Sequence, residues 1–453
     1  VSAGALSLGR GRSRSKSKKK SAAKARARKA VSPEYNMLLT ATLCLLALGA
    51  VMVFSASSTT KVLSDGGLSE SAFYLKRTLM FGAFGLLVMH FVARHGLDLV
   101  RRLTPVILAI SFFLLVAVLG IGNNINGASR WIGSGFLQIQ PSELAKVALI
   151  LYGADLLARK PKRVRSIEGM MPFLLVVGVA CMLIMLEPDM GTTMVIAFAV
   201  GATLIAAGAR PRDLGLIALT IGGLAVLMTI VEPYRMARLT GFLNPGADAA
   251  GAGFQAAQAK IALGSGGLEG VGIGNGVQKA FYLPEAHTDM ISAVIGEELG
   301  LIGILGVLGL FAMFGFAGFK VAQKAKDVYG KLLVSGLTSL VMVQATINLF
   351  AVMGLAPLTG VPLPFVSYGN SSLLATLFAV GLILNVARGG TASAARTGRS
   401  SGAGKLRVVE GGHRPAAGRS RSSGARKAKS GGGSGGNRGS RRARHGSRRR
   451  ASG

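Results

Sequence analysis

Between residues 37 and 387 the chain alternates long apolar runs with short polar ones, most of the runs about 17 to 25 residues long. At 1.5 Å per helical residue that length crosses a hydrocarbon layer of roughly 30 Å. The runs fall near 37 to 57, 77 to 93, 104 to 122, 141 to 158, 170 to 186, 190 to 209, 213 to 231, 290 to 319, 332 to 353 and 371 to 387. The expected fold is all-α, a polytopic membrane protein of about ten transmembrane helices.

Charge divides the chain into three. Of a formal net charge of +33, residues 1 to 36 carry +10 and residues 388 to 453 carry +17, so the apolar body keeps only +6. Both ends are rich in Ser, Gly, Ala and Arg, with too few large apolar side chains to offset the entropy of ordering. The expected organisation is therefore a disordered basic tail (1–36), a membrane domain (37–388) and a second disordered basic tail (389–453). Such tails suit anionic membrane lipids, at about 1 kcal/mol per basic residue near the surface, or cytoplasmic partner proteins. Nucleic acid ranks below both. Cys44 and Cys181 lie inside apolar runs, which predicts buried hydrophobes and not a disulfide framework or metal cluster. The run from Met37 to Ser55 is longer than a typical signal core and predicts a first anchor in place of a cleaved leader.

Cytoplasmic loops are enriched in Lys and Arg. With the N-terminal tail inside, every inner loop is basic: Arg94, Arg101 and Arg102; Arg159 to Arg165; Arg210 and Arg212; Lys320 to Lys331. Both termini are then expected in the cytoplasm. The outer segments are sparser in charge, and the largest, 232 to 289, is Gly-rich with a short helix expected around Phe254 to Leu263.

Four outer segments hold the polar residues. The first runs from Asn126 through Arg130 and Trp131 to Gln140, Pro141, Ser142, Glu143 and Lys146. Pro141 suits the first turn of a helix that Ser142 or Gln140 caps, and Arg130 with Trp131 serves equally well as an interfacial anchor. Lys146 lies about a turn inside the helix, where an ammonium needs a carboxylate or a wet cavity. The second, Leu283 to Asp289, brings Glu285, His287 and Asp289 to the mouth of the bundle, with Glu297 and Glu298 about two turns deeper. Thr288 or Asp289 serves as an N-cap on the structural interpretation, and Glu297 and Glu298 are ion-pair candidates, either one a partner for Lys146. The third, Gly360 to Ser372, contains Pro362 and Pro364 and predicts irregular backbone lining a protein cavity, where Ser367 and Ser371 bind a polar ligand or simply cap. The fourth, Gly264 to Gly276, superficially resembles a phosphate cradle, but lacks the Gly-Lys-Ser/Thr of a nucleotide loop and predicts flexible backbone.

These motifs, in this order, resemble the SEDS family (shape, elongation, division and sporulation) of peptidoglycan glycosyltransferases over nearly all of Met37 to Arg388. The tract Lys279 to Asp289 and the Asn126-Gly127 before Arg130-Trp131 resemble the division member more than the elongation member. The resemblance implies polymerisation of lipid II into glycan strands at the division septum of a bacterial plasma membrane. It also implies a class B penicillin-binding protein as transpeptidase partner, and other division proteins. The family's candidate catalytic aspartate maps onto Asp289. Where the family usually has a second Gly in Ser-Tyr-Gly-Gly-Ser-Ser, this chain has Asn370, a residue that tolerates left-handed backbone.

Joining a sugar hydroxyl to an anomeric carbon bearing a diphosphate needs a base and positive charge for the leaving group. Asp289 is the expected base. Arg130 is the first expected phosphate ligand, with Lys76, Arg77, Arg235 and Arg238 as helpers. Lys146, Glu285, His287, Pro362, Ser367 and Ser371 complete the expected substrate site, and Glu143, Glu297 and Glu298 are the ion-pair candidates. No ligand cluster establishes a metal, and a divalent cation stays open. Two rival classes are a lipid II transporter using Lys146, Glu297 and Glu298 as a polar path, and a scaffold acting through its tails.

Overall fold

A computed structural model describes residues 32–65, 68–125, 128–133, 138–161, 163–243, 253–280 and 282–391. Both expected disordered tails, apart from residues 32–36 and 389–391, lie outside this set, as do Asn126 and Gly127. The elements are α1 (Pro33–Asp65), α2 (Leu68–Ile121), β1 (Asn123–Ile125), β2 (Ala128–Trp131), α3 (Pro141–Arg159), α4 (Ile167–Leu186), α5 (Met190–Ala207), α6 (Pro211–Val231), α7 (Pro233–Leu243), α8 (Phe254–Ser265), α9 (Ile291–Lys324), α10 (Val328–Val352) and α11 (Asn370–Ala387).

Eight of these helices are long and apolar enough to cross a membrane, against about ten expected spans. Two features account for the difference. The first is α3, which is of spanning length but carries Glu143, Lys146, Asp155 and Arg159. It tolerates them by sitting inside the bundle, buried on nearly every side. The second is α2, whose 54 residues would extend about 80 Å if straight.

Its contacts show that α2 doubles back. Arg77 lies against Asn370 at the head of α11, and Asn385 near the foot of α11 donates to Val92 O at 2.9 Å. Arg101 then pairs with Asp155 near the foot of α3. Gly122, just past the end of α2, is back beside Ser129. The adjoining Arg130 reaches Glu187, the level at which the Gln140 N–H meets Ser371.

Burial varies with position in the bundle. No residue of α6 is fully buried, although it is strongly apolar, and only part of its surface, including Leu214 and Ile217, packs against the core. By contrast α10 and α11 are mostly buried. Cys44 is exposed and Cys181 half-buried on their helices, so the expectation of two buried thiols holds for neither in full; both are free. The antiparallel hairpin β1–β2 pairs Asn123 with Trp131 and Ile125 with Ala128. It is a small addition to an otherwise helical fold, and the Asn-Gly dipeptide between its strands is its sequence signal.

Basic pairs gather at the end of the bundle opposite the candidate site. There Lys324 meets Glu34, Arg101 and Arg159 share Asp155, and Arg388 donates to the Tyr35 hydroxyl at 2.8 Å.

Candidate active site

The site forms where the Leu283 to Met290 turn meets the 356 to 369 segment. The cap of α9 is Met290, with no side-chain capping bond, and not Thr288 or Asp289 as expected. Thr288 is already engaged: its hydroxyl contacts Glu285 O at 3.1 Å, Glu285 Oε2 at 2.9 Å and Asp289 Oδ1 at 3.3 Å. Glu285 sits at φ 55° on the exposed rim, a left-handed conformation that helps close the turn.

Asp289 is half-buried and its Oδ2 lies 3.8 Å from the place a Gly360 side chain would take. Burial, and then the charge of Glu285, push its carboxyl up to about 6, while Arg238 pulls it back. A carboxylate so tuned is ionised near neutral pH yet basic enough to accept a proton.

Two contacts fix the Asp289 turn. Buried Asn348 of α10 donates to Asp289 O at 2.7 Å and to Val361 O at 2.8 Å, and accepts from Ser292 at 2.8 Å. His287 O accepts from Tyr368 N at 3.0 Å. The His287 ring lies 4.9 Å from Tyr74 and 5.5 Å from Tyr368, which contact each other at 5.1 Å. Asn348, Tyr74 and Tyr368 were not singled out in the sequence. Asn348 is hidden there as one of several polar residues within an apolar run, beside Ser335, Thr338, Ser339, Gln344 and Thr346.

Glu297 and Glu298 do not pair with Lys146. Glu298 Oε1 meets the fully buried Lys279 at 2.6 Å, and Ser55 of α1 donates to the same carboxylate at 2.7 Å. Glu297 Oε1 accepts the N–H groups of Val277 at 2.7 Å and Gln278 at 3.0 Å. Lys146 instead pairs with Glu143 at 2.7 Å and Gln344 at 2.9 Å, one turn away on its own helix and across to α10. Gln344 in turn donates to Pro362 O at 3.0 Å, which ties Lys146 to the irregular segment through one intermediary.

The Gly264 to Gly276 stretch is ordered against α9 and not the flexible loop expected. At Gly300 (φ 65°, ψ −160°) α9 breaks, which orphans two carbonyls before the break and two N–H groups after it. The Gly-rich stretch satisfies all four. Val271 and Gly272 donate to Glu297 O and Glu298 O at 3.0 Å each, while Leu301 and Ile302 donate to Gly267 O and Leu268 O at 3.0 and 3.2 Å. A Cβ on Gly270 would come within 2.2 Å of Glu298 O, so the backbones approach only as glycine allows.

Ser371 joins Gln140 N at 3.1 Å and Gln138 O at 3.3 Å, and Ser367 accepts from Leu363 N at 2.8 Å. Both therefore hold backbone. Pro141 begins α3 as expected, whereas neither Gln140 nor Ser142 makes a side-chain cap. Asn370 is the first residue of α11, with no left-handed backbone, so its tolerance of that conformation is not used. With its amide oxygen turned toward Arg77 it accepts from Nε at 2.7 Å and Nη2 at 3.1 Å. Arg77 also lies 5.8 Å over the Tyr368 ring.

Arg130 binds the carbonyls of Glu187, at 3.0 Å, and Pro188. Burial, and then Asp189, push the Glu187 carboxyl up to about 8, with Arg130 opposing. Arg238 and Lys260 line a cleft beside the turn, together with Gln255, Phe242 and Leu358. The Arg235 side chain lies outside the described set, and Lys76 is exposed. Among the described residues no three His, Cys, Asp or Glu side chains gather as metal ligands.

Over residues 35–391 the chain matches the FtsW, RodA and SpoVE family of cell cycle proteins. It is 42% identical over 366 residues to the stage V sporulation protein E of Bacillus subtilis, covering 80% of this chain and 98% of that protein. It is 40% identical over 363 residues to an FtsW of Trichlorobacter lovleyi described as a probable peptidoglycan glycosyltransferase, covering 79% and 94%. Among solved structures, a chain of a peptidoglycan synthase complex that coordinates polymerization and crosslinking aligns at TM-score 0.64 and 28% identity, over 78% of this chain and 97% of that one. The rod shape determining protein RodA of Thermus thermophilus aligns at 0.58 and 28%, over 78% and 95%.

Proposed function

The chain belongs to the FtsW, RodA and SpoVE family of cell cycle proteins, and from that premise we propose that it polymerises lipid II into β-1,4 glycan strands at the division septum, with Asp289 as general base. It is a multi-pass membrane protein and a peptidoglycan glycosyltransferase. The observation that carries the mechanism is the half-buried Asp289 carboxyl, raised to about 6 and held against the Gly360 segment.

Asp289 takes the proton of the acceptor 4-hydroxyl as that oxygen attacks the donor anomeric carbon. The bond from this carbon to the diphosphate oxygen breaks on the opposite face, and undecaprenyl diphosphate departs with the electron pair. An α-linked donor thereby becomes a β-linked strand. Donors aimed at the leaving group, and not at the ground state, supply the larger part of such catalysis.

The distribution of basic residues supports an outward-facing site and cytoplasmic termini. The likeness to a chain of a peptidoglycan synthase complex supports a class B penicillin-binding protein as partner. FtsW relatives at about 40% identity favour the septal role over elongation. The close partners of Lys146, Glu297 and Glu298 support structural roles for these charges over a transport path.

The test is polymerisation of labelled lipid II by the purified chain, with and without the cognate transpeptidase. Asp289→Asn should yield no glycan while remaining folded and inserted. Full polymerase activity in that variant, or topology mapping that places residue 289 in the cytosol, removes the assignment.

A further inference from the structure

We propose that the cleft between α7, α8 and the segment after α10 seats the diphosphate of the substrate, with Arg238 and Lys260 as its two cations. This rests on the glycosyltransferase function above and adds to it the residues that receive the leaving group. The sequence already names Arg238 among the helpers for this task, alongside Lys76 and Arg235, but puts Arg130 first and includes Arg77.

The structure commits those two elsewhere. Arg130 holds the Glu187 and Pro188 carbonyls, and Arg77 lies against Asn370 and Tyr368. Arg238 lines a cleft, and its Nη1, donating to Leu358 O at 3.0 Å, fixes the guanidinium there. Leu358 lies two residues before Gly360, whose Cβ position is 3.8 Å from Asp289 Oδ2, so the cleft adjoins the segment that faces the proposed base.

Lys260, on α8, is exposed and has no hydrogen-bond or ion-pair partner among the described residues. Its stem lies over Gly354, where an added Cβ would stand 2.3 Å from Lys260 Cε. Gly354 has φ 71°, so the absence of a side chain there both permits the backbone and makes room for the lysine.

Charge decides the ligand. A diphosphate esterified at both ends carries two negative charges, which two cations neutralise. When the sugar leaves, the remaining monoester gains charge, so the same cations bind the departing group more strongly than the ground state. Phe242, Ala351, Ala356 and Leu358 give the cleft apolar walls beside the two cations.

The experiment is direct binding of fluorescent undecaprenyl diphosphate to the full chain in nanodiscs, with undecaprenyl monophosphate as comparison. R238Q and K260Q should each weaken diphosphate binding about tenfold, a loss of ~1.4 kcal/mol, and the double variant more. K260R should retain binding, which separates charge from packing. Asp289→Asn should bind no more weakly than wild type, because it removes a negative charge near the site, so failure of the base assignment and failure of this site are told apart. Unchanged affinity in the double variant overturns the proposal. So does equal wild-type affinity for the monophosphate, or an Arg130→Gln loss as large as that of the double variant.

Discussion

Asn348 donates its amide to the Asp289 carbonyl at 2.7 Å from a position that is almost wholly buried on α10. The same side chain holds Val361 and Ser292, so one residue sets the distance between the proposed base and the segment facing it. Asn348→Leu keeps the volume but removes every bond. Misplacement by about 1 Å costs about a hundredfold in rate, and kcat for lipid II polymerisation should fall by roughly that factor with KM little changed. A proportional rise in KM alone would place Asn348 in binding instead.

The elevated carboxyl of Asp289 predicts the pH dependence of kcat/KM. Activity should fall with unit slope below about pH 6, where the base becomes protonated. Glu285→Gln removes a repelling charge and should move the midpoint down; Arg238→Gln removes an attracting one and should move it up. For stability the sign is opposite to that of a salt-bridged acid. Between 3.8 and about 6 the native state binds more protons than the unfolded chain, so this contribution to stability falls as pH rises through that window. Initial rates from pH 4.5 to 8 on the three proteins check the midpoints.

Two glycines in the strap against α9 differ in what surrounds them. Gly270 has φ 84° and Glu298 O 2.2 Å from its Cβ position, whereas Gly274 has φ 90° and open space. Gly274→Ala should cost only the left-handed backbone penalty, about 1–2 kcal/mol. Gly270→Ala adds a backbone clash and should be clearly the more destabilising of the two. Thermal unfolding in detergent compares them, and equal shifts would mean that the strap does not seat in the α9 break.

Lys279 and Glu298 form a buried pair at 2.6 Å. Lys279→Met alone leaves a buried carboxylate uncompensated and should cost about 3–5 kcal/mol. Lys279→Met with Glu298→Leu should recover much of that loss. A double variant no more stable than the single one would show that Ser55 and Gly274 O, which also contact Lys279, matter more than the charge pair.

Much of this molecule could be read from local sequence. The spans follow from the lengths of apolar runs, Pro141 from its aptness for a first helical turn, and α8 (Phe254–Ser265) from its own residues. These are local properties, set within a few helical turns. Lys146 reads as a charge in need of a partner and Glu143, Glu297 and Glu298 as ion-pair candidates, but which acid it meets depends on which helices pack together. The answer was Glu143 and Gln344, and the acids two turns below Asp289 went to Lys279 and to backbone.

The sequence by itself determined that this chain lives in a membrane and where its polar residues gather along the chain. Tertiary structure alone decided that α2 doubles back, that α9 breaks at Gly300 to admit a glycine strap, and that Arg130 is occupied while Arg238 and Lys260 line a cleft. The reason is physical. Apolar length is a property of one segment, but satisfying a buried polar group is a property of every segment packed around it.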